Sequence, residues 1–168
     1  MGRKLTLESI RQRNSVDDPS QVVDLNLWAN DLEDVSILKD MPNVETISLS
    51  LNHIRSLKPF QYCLNLKELY LRKNKVDQLA EIKYLKGLSN LKVLWLWDNP
   101  CCNHPHYRKY IIKLLPSLEK LDNAVITTEE RMDARKIDLN AIENEEIPSA
   151  PMEVDKHMRP HASGADKK

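Results

Sequence analysis

The chain has 168 residues, with 25 Lys plus Arg offset by 25 Asp plus Glu, 24 Leu, three Gly and one Phe. This length suits one domain with its own core and a tail, and zero net formal charge removes the global basic field that recruits nucleic acid or anionic membrane. Apolar residues reach 41% without heptad runs, which excludes collagen-like, coiled-coil and wholly disordered chains, and no uncharged run approaches the roughly 18 residues of a membrane span.

In chain order, residues 1–20 read as an N-terminal helical cap. Thr6 is placed to cap a short helix through Leu7, Ile10 and Arg11 toward Arg13, and Asp17-Asp18-Pro19-Ser20 turns the chain into the first strand. Met1-Gly2-x-x-x-Thr6 matches the form of an N-myristoylation signal, but Thr6 already serves the helix and no lipid is expected. No apolar signal core follows Met1-Gly2-Arg3-Lys4. With three Cys, two of them adjacent, the expectation is a reducing, cytoplasmic compartment.

Residues 21–98 repeat. Val22-x-x-Leu25-x-Leu27-x-x-Asn30-x-Leu32 aligns with Val44-x-x-Ile47-x-Leu49-x-x-Asn52-x-Ile54 and with Leu66-x-x-Leu69-x-Leu71-x-x-Asn74-x-Val76. Leu91-x-x-Leu94-x-Leu96-x-x-Asn99 is the fourth copy, and the Asn spacings are 22, 22 and 25. Apolar residues that alternate with polar ones bury one face of a short strand and show the other. Stacked units set these strands side by side in parallel, and the second half of each unit returns over the back as a helical or 3₁₀ turn. The reading is therefore α/β: a right-handed solenoid of four short leucine-rich repeats, a parallel concave sheet of about five strands and helical caps at both ends. Asn30, Asn52, Asn74 and Asn99 stand where the chain leaves each strand, and are expected to form a structural ladder to the backbone.

Residues 99–142 read as a C-terminal cap. A helix carries Tyr107, Tyr110, Ile111, Leu114 and Leu115, and Pro116-x-Leu118-x-x-Leu121-Asp122 makes a half-repeat. Thr127-Thr128-Glu129-Glu130 reads as a capping box opening a last helix through Met132 and Ile137. Residues 143–168 are polar and Pro-interrupted and are expected to be a disordered tail.

The outward strand positions fall into columns. All three Trp lie there: Trp28, Trp95 and Trp97, beside Leu51, Tyr70, Arg72 and Lys73. Trp, Tyr and Arg dominate binding hot spots, so these seven residues are the candidate partner-binding face. The alternative is that the chain's own termini fold over the rings. RNA is disfavoured, because Asp24, Glu68 and Asp98 share the face and would repel its phosphates.

Little chemistry is expected elsewhere. Cys101-Cys102-Asn103-His104-Pro105-His106 lacks the Cys-x₂-Cys spacing of zinc sites, so no metal is expected and its histidines are read as surface residues. No phosphate loop is possible with Gly only at 2, 87 and 164. The expectation is no catalytic residue, no cofactor and no enzyme.

The cap residues Asn99-Pro100, Tyr107-Arg108, Leu115-Pro116, Leu118 and Leu121-Asp122 resemble the leucine-rich repeat family that ends in a dedicated capping motif. Leu25-Asn26-Leu27-Trp28, Leu69-Tyr70-Leu71-Arg72-Lys73-Asn74, Tyr84-Leu85-Lys86-Gly87-Leu88 and Val93-Leu94-Trp95-Leu96 resemble its cilia- and flagella-associated members, over about residues 20–140. That resemblance implies a non-enzymatic adaptor of cilium, flagellum and basal body, acting in cilium assembly. Its implied partner is a protein, such as a NIMA-related kinase or another ciliary protein. Such proteins usually add an oligomerising C-terminal helical segment, which 143–168 does not contain, so this chain is expected to be a monomer. The alternative resemblances are to the spliceosomal U2 A-prime group, which binds an RNA-recognition-motif protein and RNA, and to axonemal dynein light chains of the repeat type.

Overall fold

A computed structural model describes residues 2–145. The first element is β1 (Arg3–Lys4), followed by α1 (Leu7–Asn14), whose Thr6 cap accepts from the Ser9 amide in a reciprocal capping box with the Ser9 side chain. Ser15 in left-handed conformation ends the helix.

The repeats then supply β2 (Asp24–Asn26), β4 (Thr46–Ser48), β5 (Glu68–Tyr70) and β6 (Val93–Trp95), which pair in parallel in that order. Leu25, Ile47, Leu69 and Leu94 stand in register across them, each no more than 1% exposed. β7 (Lys120–Leu121) adds a fifth parallel strand, and β8 (Ala124–Val125) turns back antiparallel to give six strands. The backs of the repeats are 3₁₀ turns at Ser36–Asp40, Lys58–Tyr62 and Leu79–Leu85. Their inner residues Leu38, Phe60 and Ile82 are fully buried, each side chain contributing about 2 kcal/mol by leaving water. The third unit, three residues longer than the others, has a seven-residue back and keeps the strand register.

The Asn ladder forms at three of its four rungs. Asn52 Nδ2 donates to the carbonyls of Leu49 and, one repeat earlier, Leu27, while its Oδ1 accepts from the Leu32 amide. Asn74 and Asn99 repeat this with Leu71 and Leu49, and with Leu96 and Leu71. Asn30 is a correction to the ladder: no repeat precedes it, so it is half-exposed and bonds the Trp28 carbonyl and Arg13 instead. A second, outer run of amides was not foreseen. Asn65 Nδ2 donates to Asn43 Oδ1 at 3.2 Å, and Asn43 Nδ2 to the Ser20 carbonyl at 2.9 Å.

Three other features differ from expectation. β1 pairs in parallel with β3 (Leu32–Asp34) as a separate two-stranded sheet, so the N-terminal cap is a strand as well as a helix. Gly2 is packed into this corner: its amide donates to Glu33 Oε2, and a Cβ there would lie 2.3 Å from Glu33 Cβ. The left-handed position of each turn is held by Ala29, Leu51, Lys73, Asp98 and Asp122, one residue before each Asn in the four full repeats.

In the C-terminal cap, α2 (Tyr107–Leu114) packs on α3 (Thr128–Ala134). The Thr127–Glu130 capping box is present, but α3 stops at Ala134. A separate α4 (Leu139–Glu143), capped by Asp138, follows and buries Ile142. Tyr110 donates to Glu143 at 2.6 Å and Lys113 Nζ to the Ile137 carbonyl at 2.5 Å, bracing α4 and the segment before it against α2. Residues 146–168, most of the expected tail, lie outside the described residues.

Candidate protein-binding face

Strand alternation fixes what the sheet displays. Leu25 and Leu27 point inward, so Asn26 and Trp28 point outward, and the same parity holds in each repeat. Trp28 is 57% exposed and Trp97 42%, and they mark the first and last full repeats. Tyr70 and Trp95 are half-buried between them, because they stand opposite each other on paired strands and pack edge to face with centroids 5.7 Å apart. Leu51 is 38% exposed in its left-handed turn, and Lys73 occupies the same turn position one repeat on.

Polar contacts hold this surface in shape. Tyr70 donates to Glu68 at 2.6 Å, and burial, reinforced by that carboxylate, pushes the phenol up to about 12. Arg72 Nε lies 3.2 Å from Asp98 Oδ2 in the turn that follows β6. Trp95 Nε1 is enclosed and has no acceptor among the described residues. The N-terminal helix reaches the edge of the face, where Arg13 donates to the Asn26 carbonyl, but the described residues leave both outer Trp rings open. Of the seven sequence-derived candidates, Trp28, Tyr70, Arg72, Trp95 and Trp97 fall at outward positions of the repeats and Leu51 and Lys73 in the turns that follow; Trp28, Leu51 and Trp97 are large exposed apolar side chains.

Asp122 is a cap residue whose role the sequence did not reveal. Its Oδ1 accepts from the amides of Leu96 and Trp97, its Oδ2 from the Tyr107 hydroxyl, and so it fixes the backbone under Trp97. Burial raises its pKa in spite of those donors. His104 corrects the reading of surface histidines. It is 3% exposed, its Nδ1 accepts from the His106 amide, and its Nε2 lies 3.6 Å from Glu145. Burial lowers its pKa. Among the described residues no group of three or more His, Cys, Asp or Glu is arranged to hold a metal. Cys63 and Cys101 are buried, and burial alone pushes the Cys63 thiol up to about 12. No described helix is long and apolar enough to cross a membrane.

Known proteins resemble this chain in sequence and in fold. Human cilia- and flagella-associated protein 410 is 45% identical over 150 residues, 88% of this chain and 56% of that protein, so the chain spans just over half its relative's length. The U2 small nuclear ribonucleoprotein A' of Emericella nidulans is 29% identical across 80% of this chain and 59% of its own length. Among solved structures, the Drosophila melanogaster SNF/U2A' complex superposes with a TM-score of 0.61 at 23% identity, covering 80% of this chain and 91% of that one, a likeness of fold. A leucine-rich repeat family model matches residues 4–146, taking in both caps and every rung of the ladder; the chain belongs to the leucine-rich repeat family and resembles cilia- and flagella-associated protein 410.

Proposed function

We propose that the chain is a non-enzymatic adaptor of cilia and basal bodies that holds a protein partner on its concave sheet and serves cilium assembly. The observation that carries this is the exposed aromatic surface from Trp28 to Trp97, built on a rigid ladder and left open by the described residues. Large rings at that exposure are costly in water and supply contact area at little entropic cost when a partner covers them. Similarity to cilia- and flagella-associated protein 410 supports the ciliary setting, and a NIMA-related kinase is a partner of the kind that setting implies. Arg72 and Lys73 favour an acidic or carbonyl-rich contact on the partner.

The test is a Trp28→Ala/Trp97→Ala variant used as bait in ciliated cells beside the wild type. Both side chains are outside the core, so the fold should survive while ciliary partners are lost. Unchanged partner recovery by a folded variant refutes the face. A second reading, an adaptor for an RNA-recognition-motif protein, is supported by identity to the U2 A' protein across most of the chain. It requires nuclear partners in the same experiment, and a salt-dependent gel shift if RNA is touched directly.

A further inference from the structure

The middle of this face is not aromatic. In the second repeat Thr46 and Ser48 of β4, and Ser50 just beyond it, point outward and are half-buried, the exposed Leu51 follows in the turn, and none of the three hydroxyls has a hydrogen-bond partner among the described residues. These three side chains are short beside those of the neighbouring repeats, which makes this strip the floor of a shallow trough by side-chain size alone. Trp28 rises from the repeat on one side, and Tyr70 with Arg72 from the repeat on the other.

Two dimensions decide what fits. The strands that carry the walls are two spacings apart, about 10 Å, before the thickness of the side chains is subtracted. A helix with its side chains is about 10–12 Å wide, so it rides on the walls and does not reach the floor. An extended chain does reach it. Moreover, hydroxyls on alternate residues of one strand recur about every 6.6 Å, which is also the interval between same-side backbone groups of an extended peptide. A helix has no matching repeat.

The ends of the trough are unlike in charge. Asp24 and Glu68 flank its floor at the start of the strands. At the far end Lys73 is exposed and makes no ion pair among the described residues, whereas Arg72 is engaged by Asp98. We infer that the second-repeat trough seats an extended peptide segment of the partner, one strand thick, lying along the strand direction. The Thr46, Ser48 and Ser50 hydroxyls bond its backbone, a basic side chain of the peptide meets Asp24 and Glu68, and an acidic one meets Lys73. This rests on the concave face being the interaction surface, and it adds which form of partner enters and where.

Selection of phage-displayed random linear peptides, in parallel with a library displayed on a helical scaffold, tests it on the full chain. Linear peptides carrying a base and an acid separated by an apolar stretch should be enriched. The best of them, measured by calorimetry, should bind Ser48→Tyr about tenfold or more weakly, since the phenol fills the trough, and Thr46→Val/Ser48→Ala/Ser50→Ala about tenfold more weakly. N-methylating alternate peptide amides should abolish binding in one parity and spare it in the other. Enrichment of helical ligands alone, or of none, overturns the inference, as do equal effects of both parities. Ligands lost with Trp28→Ala/Trp97→Ala but indifferent to Ser48→Tyr would leave the adaptor surface standing and remove the trough.

Discussion

The Asn74 side chain donates to the Leu49 carbonyl, one repeat behind it, at 3.0 Å, and to Leu71 in its own repeat at 2.9 Å. Its Oδ1 also accepts from the Ile54 amide, so one buried amide closes three backbone groups that water does not reach. Asn74→Ala should cost about 3–5 kcal/mol, as each orphaned buried group costs about 1–3 kcal/mol. Asn30→Ala, at the open end, should cost about 1 kcal/mol or less. Urea unfolding of the two variants checks the difference, and equal losses would contradict the ladder.

Ala29 holds a left-handed backbone with φ of 53°. For an L-residue with a Cβ that conformation costs about 1–2 kcal/mol, partly offset on substitution by the greater freedom glycine has when unfolded. Ala29→Gly should therefore stabilise the fold by about 0.5 kcal/mol. Lys75→Gly, exposed but not left-handed, should destabilise it by a similar amount. Thermal melts of the pair measure both signs.

Glu130 takes Arg108 Nε at 2.5 Å and caps α3 through the Thr127 amide, and the Arg108 guanidinium holds its carboxyl down to about 2. A folded-state pKa below the unfolded value contributes stability above the unfolded pKa of about 4.5, and loses it as pH falls toward 2. Both side chains are about one-third exposed, so Glu130→Gln should cost only about 1 kcal/mol at neutral pH. The gap between wild type and variant should close between pH 4.5 and 2, as followed by denaturant titration at each pH. A gap that persists at the acid end would assign the loss to packing.

Tyr70 should ionise late, above the range of an exposed phenol. Burial and Glu68 push it up to about 12, so stability contributed by its protonated form is intact below the unfolded pKa of about 10 and is lost as pH rises toward 12. Tyrosinate absorbance in an alkaline titration should lose a late component in Tyr70→Phe. Loss of an early component instead would place the ring in solvent.

The parts of this fold that a sequence displays are those repeated or locally signalled. Leu25, Ile47, Leu69 and Leu94 declare the sheet because one slot recurs with one size, and Thr127 with Glu130 declares a helix start because both capping partners are three residues apart. Arg3–Lys4 gives no such sign. It becomes a strand only because β3 offers an edge 29 residues later, the Arg3 to Leu32 separation. The left-handed turns went unread because Ala29, Leu51 and Lys73 occupy a place where glycine or asparagine is the usual signal. His104 looked like surface because its burial is set by the fold and not by its sequence neighbours: Glu145, far along the chain, comes within 3.6 Å of its Nε2. The outward strand positions were readable from parity alone, whereas the strip of hydroxyls between Trp28 and Tyr70 became apparent only with β2 and β5 set on either side of β4.

The lengthened back at Leu79–Leu85 separates two quantities that a flat sheet would couple. Gly87, in the same longer unit, has nothing within 4 Å of the position a Cβ would take, so a side chain there would meet no neighbour. The front spacing is set by backbone pairing and the rear spacing by the chain length between strands, and their difference is the arc of the coil. This repeat architecture can therefore change the curvature it presents to a partner by lengthening or shortening its spine, with every contact side chain left in place.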